Sequence, residues 1–418
     1  MTQLVPLDEP RDAAPLPRLL YVGDVPVESS YHGSALLYRL FEGYPADRLR
    51  VIEAGLVESQ PARRLPDVPY VFAPAGTRRL SDTRLHAWYQ LWLSLCSGAR
   101  ATSLCSGLAG FQPDAVVTVA HGLSWVSAEA IASRLNLPLH LIVHDDWPRL
   151  ARLPRPFGKR VEHQFARVYR GAASRLCVSP FMTEEYCRRY GRSGTVLYPS
   201  RGSDARVYAA PPTRPARVTE ALTYAFAGTI NTPDYIRLIR MLAKHLTSSG
   251  GRVLIFGPIT SDQARDSGLA GANIELRGLI PSDALVDVLR SEVDVLFVPM
   301  SFAERDRPNM EISFPSKLTD YTAVGLPILI AGPSYCSAVR WAREYVGVAE
   351  IADQDKDESV RDAVQRLQRP EVRSALAARA LDVGARMFSS EHARRQLQTA
   401  LLTYSSATQR ARGEAVPA

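Results

Sequence analysis

The chain has 418 residues, 46% of them hydrophobic and 22% charged, which is too long for one compact core and rich enough in apolar side chains for two. Five cysteines without a C-x-x-C pair argue against a disulfide framework and a zinc site, and they are read as reduced, mostly buried thiols. No apolar run reaches the roughly 18 residues that a membrane span requires, and the net charge of +7 is informative mainly through where it sits.

Residues 1–17 carry acids and prolines where a signal peptide needs a basic and then an apolar segment, so they are expected to be disordered and the protein to stay in the cytoplasm. From there, short apolar runs alternate with helical patterns twice over, the mark of β-α-β units and parallel sheets. In the first half the expected strands are Leu19 to Val22, Leu49 to Glu53, Ala115 to Val119, Leu139 to Val143, Arg175 to Val178 and Thr195 to Leu197. Between the second and third of these, Leu85, Trp88, Leu91, Trp92 and Leu95 space apolar groups along one helical face. That face suits packing on the first sheet, and contact with a membrane is the competing reading. Arg149 to Arg175 holds seven arginines and Lys159 against Glu162 alone. With Phe157, Phe165 and Tyr169 interleaved, the segment reads either as a solvated helix face or as a surface for anionic lipid or an acidic substrate.

A proline-rich stretch, residues 208–220, is the expected linker between a domain at 18–207 and another at 221–388. In the second half the expected strands are Tyr224 to Ala227, Arg252 to Phe256, Ile274 to Arg277, Val295 to Val298 and Pro327 to Ile330. A last helix over 389–405 has Leu397, Leu401 and Leu402 as its apolar face, and 406–418 is expected to be a disordered tail. Two doubly wound sheets make a cleft at the carboxyl ends of their strands, where open α/β folds bind ligands.

The segment Ser313 to Gly332 (SFPSKLTDYTAVGLPILIAG) places a helix start directly before a buried strand. Pro315 suits a first helical turn, and either Ser313 or Ser316 can cap it. An exposed helix start favours a diphosphate. Lys317 in that turn opposes the helix dipole unless an anion lies between them. The chain uses four lysines among its 50 basic residues, so a compact point charge here is a choice worth explaining.

This segment resembles the donor-binding motif of retaining glycosyltransferases of family 4, in the variant that reads Pro-Ser-Lys-Leu. The resemblance runs nearly the whole chain, through Gly23 to Ser34 (GDVPVESSYHGS), LIVHDDWP around His144, Val196 to Asp204 (VLYPSRGSD), Phe226 to Thr229 (FAGT), LIFGP from Leu254, LRGLIP from Leu276 and VDVLFVP from Val293. It implies a GT-B fold: two Rossmann-like domains facing across a cleft, with a carboxyl-terminal helix crossing back. It also implies transfer of a sugar from a nucleotide diphosphate-sugar to an acceptor hydroxyl, with retention of configuration, without metal or other cofactor. The acceptor would be a glycan, a lipid-linked molecule or a small molecule, as in polysaccharide biosynthesis; nucleic acid is not expected, and the basic segment leaves open peripheral contact with the inner face of an anionic membrane.

By the same resemblance, Lys317 and the N–H groups of Ser316 and Leu318 hold the diphosphate, and His144 with Asp145 lines the sugar pocket. Asp320 takes the ribose, main chain at Gly278, Leu279 and Ile280 meets the base, and Gly33 and Ser34, Gly228 and Thr229, and Ser313, Phe314 and Pro315 line the donor. Gly33 is equally explained as a turn glycine, and His144 as a structural histidine. The first glutamate of the family's Glu-x7-Glu pair falls at Ile312, with Glu311 adjacent, and the basic pair after the first donor-domain glycine is absent. An epimerase of the same fold and a catalytically weak binding subunit are the alternatives. Asp353, Asp355 and Asp357 alternate like a calcium loop but lack the glycine and distant glutamate that loop requires.

Overall fold

The computed structural model describes residues 15–29, 32–74, 86–150, 153–213 and 221–413. Two parallel sheets carry the fold. The first has seven strands in the order β3-β2-β1-β4-β5-β6-β7: β1 (Leu19–Gly23), β2 (Leu49–Glu53), β3 (Tyr70–Phe72), β4 (Ala115–Val119), β5 (Leu139–Val143), β6 (Ser174–Cys177) and β7 (Thr195–Val196). The second has six, in the order β10-β9-β8-β11-β12-β13: β8 (Thr223–Ala227), β9 (Arg252–Phe256), β10 (Ile274–Gly278), β11 (Val295–Pro299), β12 (Ile328–Ala331) and β13 (Glu350–Ala352). Central strands such as β1, β4, β8 and β11 are buried along their whole length, as continuous apolar runs in a sheet covered on both faces require.

The helices that bear on function are α1 (His32–Phe41), α2 (His86–Leu95), α3 (Trp147–Leu150), α4 (Phe157–Gly171), α5 (Pro180–Tyr190), α6 (Pro233–Leu246), α7 (Arg307–Ile312), α8 (Lys317–Val324), α9 (Pro370–Met387) and α10 (Ser390–Gly413). Local sequence explains several boundaries. Ser179 caps α5 by accepting from the Met182 N–H at 3.0 Å, Pro180 stands at its first position, and Gly191 ends it at φ 68°. Thr232 and Pro233 start α6 in the same way.

Eleven strands lie where the apolar runs placed them, within a residue or so at each end. β3 and β13 were not expected, and both are three-residue edge strands, too short to show a period. α10 continues to Gly413 instead of giving way to a disordered tail after 405, because Ala, Gln and Arg support helix and nothing breaks it before that glycine; residues 414–418 lie outside the described part. At the other end, residues 1–14 lie outside it. Arg18 binds Asp114 at 3.2 Å, and the Pro17 carbonyl accepts from Tyr44 Oη at 2.6 Å, so order begins before the expected residue 18. Of the cysteines, Cys177 and Cys336 are buried, Cys96 and Cys105 half-buried and Cys187 exposed, a weaker burial than expected.

One apolar cluster runs without a break from Trp125, Phe165 and Tyr186 under the first sheet to Leu318, Tyr321 and Trp341 under the second. The far face of the first sheet packs against α1 and, through Ala393, Leu397 and Leu401, against α10. The carboxyl-terminal helix therefore crosses back onto the first unit. Polar bridges reinforce the joint: Ser179 Oγ donates to the Ile312 carbonyl at 2.5 Å, and Arg201 Nε to the Thr319 carbonyl at 2.9 Å.

Candidate functional site

The cleft between the sheets opens into two cavities that share Asn231, Ser316 and Lys317. One, of about 340 Å³, is walled by Ala35, Leu36 and Arg39 of α1, by Gly228 and Thr229 after β8, and by Leu279, Ile280 and Asp320. The other, of about 360 Å³, is walled by Asp145, Arg149 and Leu150 from the first unit and by Arg305, Asn309, Ser313, Phe314 and Pro315 from the second. Lys317 stands at the partition.

The local fold makes that lysine available. α8 begins with Ser316 as its N-cap, but no side chain accepts a cap hydrogen bond. Neither expected serine caps it: Ser313 Oγ binds Asn309 Oδ1 at 2.5 Å and Ser316 is exposed. Pro315 precedes the N-cap and lies outside the first turn. Its carbonyl takes the Leu318 N–H at 3.0 Å, so Leu318 cannot offer that donor to a ligand as expected. The N–H groups of Ser316 and Lys317 have no acceptor among the described residues, and both residues, at the positive end of the helix, line the two cavities.

The Lys317 ammonium lies 4.5 Å from the Phe226 ring centroid and 5.5 Å from that of Tyr235, with no carboxylate paired to it among the described residues. Burial pushes its pKa down to about 8. Gly228, at φ 135°, leaves room for it: a Cβ there would sit 3.5 Å from Lys317 Cε. Gly257 lets two loops meet, since a Cβ on it would lie 2.4 Å from the Gly228 carbonyl. Gly278 turns β10 at φ 70° and takes the Gly257 N–H on its carbonyl at 2.9 Å. It does not line the cavity itself, whereas Leu279 and Ile280 do.

Burial raises the pKa of Asp320, opposed by the positive charges of Arg39 and Arg201. Arg201 is buried and spans to α8, and desolvation lowers its own pKa to about 10. Burial lowers the pKa of His144, opposed by Asp145 and aided by His121, so its ring is neutral at pH 7 and able to donate to or accept from a hydroxyl. Asp145 lines the larger cavity and His144 does not. The neighbouring Asp146 also borders that cavity but is fully buried against Arg189 at 2.9 Å and Tyr186 Oη at 3.0 Å, so Asp145 is the more accessible carboxylate of the pair.

Gly33 and Ser34 fall in the first turn of α1 and not in a loop; the wall that α1 contributes comes from the residues just after them, Ala35, Leu36 and Arg39. Phe314 anchors the motif by packing on Tyr198 and Phe388, with centroids 5.0 and 5.7 Å away. Ile312 is buried, and Glu311 turns from the cleft to pair with Arg307 at 3.6 Å and line a separate recess. Glu311 therefore does not stand in for the absent first glutamate. Sequence reasoning missed Arg39, Asn231, Arg305 and Asn309 and counted Arg149 only as part of a charge excess. The run ERDRPNM just before the motif was the available signal for Arg305 and Asn309. Among the described residues, no group of three or more His, Cys, Asp or Glu could hold a metal. Asp353, Asp355 and Asp357 each pair with a different cation, Arg343, Arg237 and Lys244.

Two facing Rossmann-like units with a returning carboxyl-terminal helix and a ligand cleft at the strand ends constitute the GT-B architecture. Residues 62–200, a third of the chain, match the sequence model of Glycosyltransferase Family 4. No curated protein matches the chain. HepE of Anabaena, solved with UDP and glucose, aligns at a TM-score of 0.61 and 12% identity over 92% of this chain and 99% of its own. The alpha,alpha-trehalose-phosphate synthase (UDP-forming) of Burkholderia xenovorans, solved with glucose-6-phosphate, gives 0.62 and 14% over 92% and 100%. A trehalose-6-phosphate structure from E. coli bound with UDP-2-fluoro glucose gives 0.63 and 12% over 92% and 98%. At these identities the likeness is one of fold.

Proposed function

We propose that the protein transfers a sugar from a nucleotide diphosphate-sugar to an acceptor hydroxyl with retention of configuration and without a metal ion. The observation that carries this reading is Lys317, an unpaired ammonium at an uncapped helix start between two cavities. The smaller cavity suits the nucleotide, with the base against Leu279 and Ile280 and the ribose on Asp320. The larger suits the sugar and the incoming acceptor, with Asp145 and Asn309 as polar partners. Lys317 and the N–H groups of Ser316 and Lys317 then meet the diphosphate where charge develops. In the transfer, the bond from C1 of the sugar to the diphosphate oxygen breaks and its electron pair stays on that oxygen. A new bond forms from C1 to the acceptor oxygen on the same face, and the acceptor's proton passes to the leaving phosphate. No separate base is required. The acceptor class is a glycan, a lipid-linked molecule or a small molecule.

UDP-sugars are the first donors to test, since the Anabaena and E. coli relatives are solved with UDP or a UDP-sugar. Incubation with α-linked UDP-sugars in the presence of a chelator, followed by NMR, should give an α-configured product or slowly released free sugar. A β product, an epimerised donor, or activity that needs added manganese or magnesium would contradict the reading. The buried Ile312 and the averted Glu311 favour a binding-only subunit as the second reading, for which the same experiment gives intact donor.

A further inference from the structure

We propose that the outer face of α2 and the start of α4 form a docking surface for an anionic lipid membrane. The argument begins with exposed apolar area. Trp88, Trp92 and Leu95 are 62%, 53% and 60% exposed, and their spacing of four and three residues puts all three on one side of α2. Tyr89 and Leu93, on the opposite side, are buried and hold the helix to the core. The other exposed large apolar residues in the described part, such as Val57, Val207 and Val346, lie far apart in sequence and make no such stripe. A row of two tryptophans and a leucine facing water is what a membrane interface accommodates and an ordinary soluble surface avoids.

Charge supplies the second observation and selects the occupant. α2 packs beside α4, where Trp88 meets Phe157 with ring centroids 5.3 Å apart and Ser94 Oγ binds Gln164 at 2.8 Å. The basic segment divides sharply in this setting. Arg149 sits 3.8 Å from Asp146, Arg167 2.8 Å from Glu129, and Arg170 and Arg175 donate to the carbonyls of Tyr190 and Ala172 at 3.0 and 2.6 Å. Arg155, Lys159 and Arg160 are exposed and make no ion pair among the described residues. In the chain these three cations flank Phe157, the residue that meets Trp88 of the tryptophan stripe. Phe165 and Tyr169, which the sequence offered as the apolar side of the basic helix, are buried in the core. The lipid-facing apolar groups therefore come from α2 and the charge from α4. A second copy of the chain fits less well, because a two-fold contact through this face would bring like charges together, whereas a bilayer carrying anionic headgroups pairs with all three.

The place of this surface is also suggestive of its use. α3, which leads into α4, lines the cleft with Arg149 and Leu150, so docking here would set the acceptor side of the cleft close to the membrane. Vesicle binding needs no donor, so the proposal stands or falls independently of the transfer reading.

The test is co-sedimentation of the full chain with phosphatidylcholine vesicles and with vesicles that also contain phosphatidylglycerol. Wild type should pellet with the anionic vesicles at low salt, with a blue-shifted tryptophan emission, and should be released as salt rises. Each cation near an anionic surface contributes about fivefold, so the triple variant Arg155→Gln, Lys159→Gln, Arg160→Gln should lower partitioning about 10²-fold. Trp88→Ser with Trp92→Ser should abolish the emission shift, while the control Val346→Ser binds as wild type; circular dichroism checks that each variant is folded. Wild type left in the supernatant with both vesicle types at low salt would overturn the proposal, as would unchanged binding by both variants. A concentration-dependent dimer, lost in the tryptophan variant and accompanied by no vesicle binding, would assign the face to a second copy instead.

Discussion

In the proposed function, Lys317 is a single residue that is costly to the folded chain and useful to its ligand. Its ammonium rests against Phe226 and Tyr235 without a carboxylate beside it, and burial brings its pKa from 10.5 down to about 8. Between those two values the unfolded chain binds more protons than the folded one, so this residue makes the stability of the empty protein rise with pH over that window. A bound diphosphate reverses the preference, because a nearby anion favours the charged form. Nucleotide affinity should therefore fall as pH rises through about 8, and binding at that pH should take up a proton. Calorimetry in two buffers of different ionisation enthalpy reads that uptake directly; equal apparent enthalpies would show that Lys317 does not meet the anion. Replacing the charge by a chain of similar shape, Lys317→Met, should lower turnover about 10²-fold and leave the melting temperature at pH 7 equal or higher. Lys317 and Asp320 were legible because their motif is contiguous. Arg39 and Asn231 were not, since what makes them site residues is the approach of one unit to the other.

At the scale of elements, the position of α8 depends on how closely α9 approaches it. A Cβ on Gly384 of α9 would sit 2.3 Å from both Arg201 Nη2 and Thr322 Oγ1, and Arg201 is the side chain that ties α8 to the first unit. Gly384→Ala should destabilise the protein by about 1–3 kcal/mol through overpacking and weaken nucleotide binding with it. Chemical denaturation and a binding isotherm on the same variant test this, and an unchanged midpoint would contradict the packing. The same scale shows why some elements escaped the sequence. β3 and β13 are too short for a pattern to emerge, and the amphipathic pattern of α4 identifies a buried face without saying whether protein or lipid covers it. The structure answers that for Phe165 and Tyr169, which meet Tyr186 and Tyr190 in the core.

For the whole molecule, the alternation of apolar runs and helical patterns was enough to announce two parallel sheets, because a strand buried on both faces must be apolar throughout. The order of the motifs then placed the cleft between them. What the sequence left open was how the cleft is divided: that Lys317 stands between two cavities, that Asp145 faces one while Asp146 is spent on Arg189, and that Glu311 points elsewhere. These depend on packing between segments far apart in the chain.

The central claim, that this cleft binds a nucleotide diphosphate-sugar through Lys317, is tested most directly by a thermal-shift titration of wild type and Lys317→Met with UDP, other nucleoside diphosphates and their sugars at pH 7. A ligand that binds only the folded state at a hundred times its Kd adds about 2.7 kcal/mol. The account predicts a clear rise in melting temperature for wild type with at least one of these nucleotides and little or none for the variant. No shift with any of them, or an equal shift in both proteins, would contradict it.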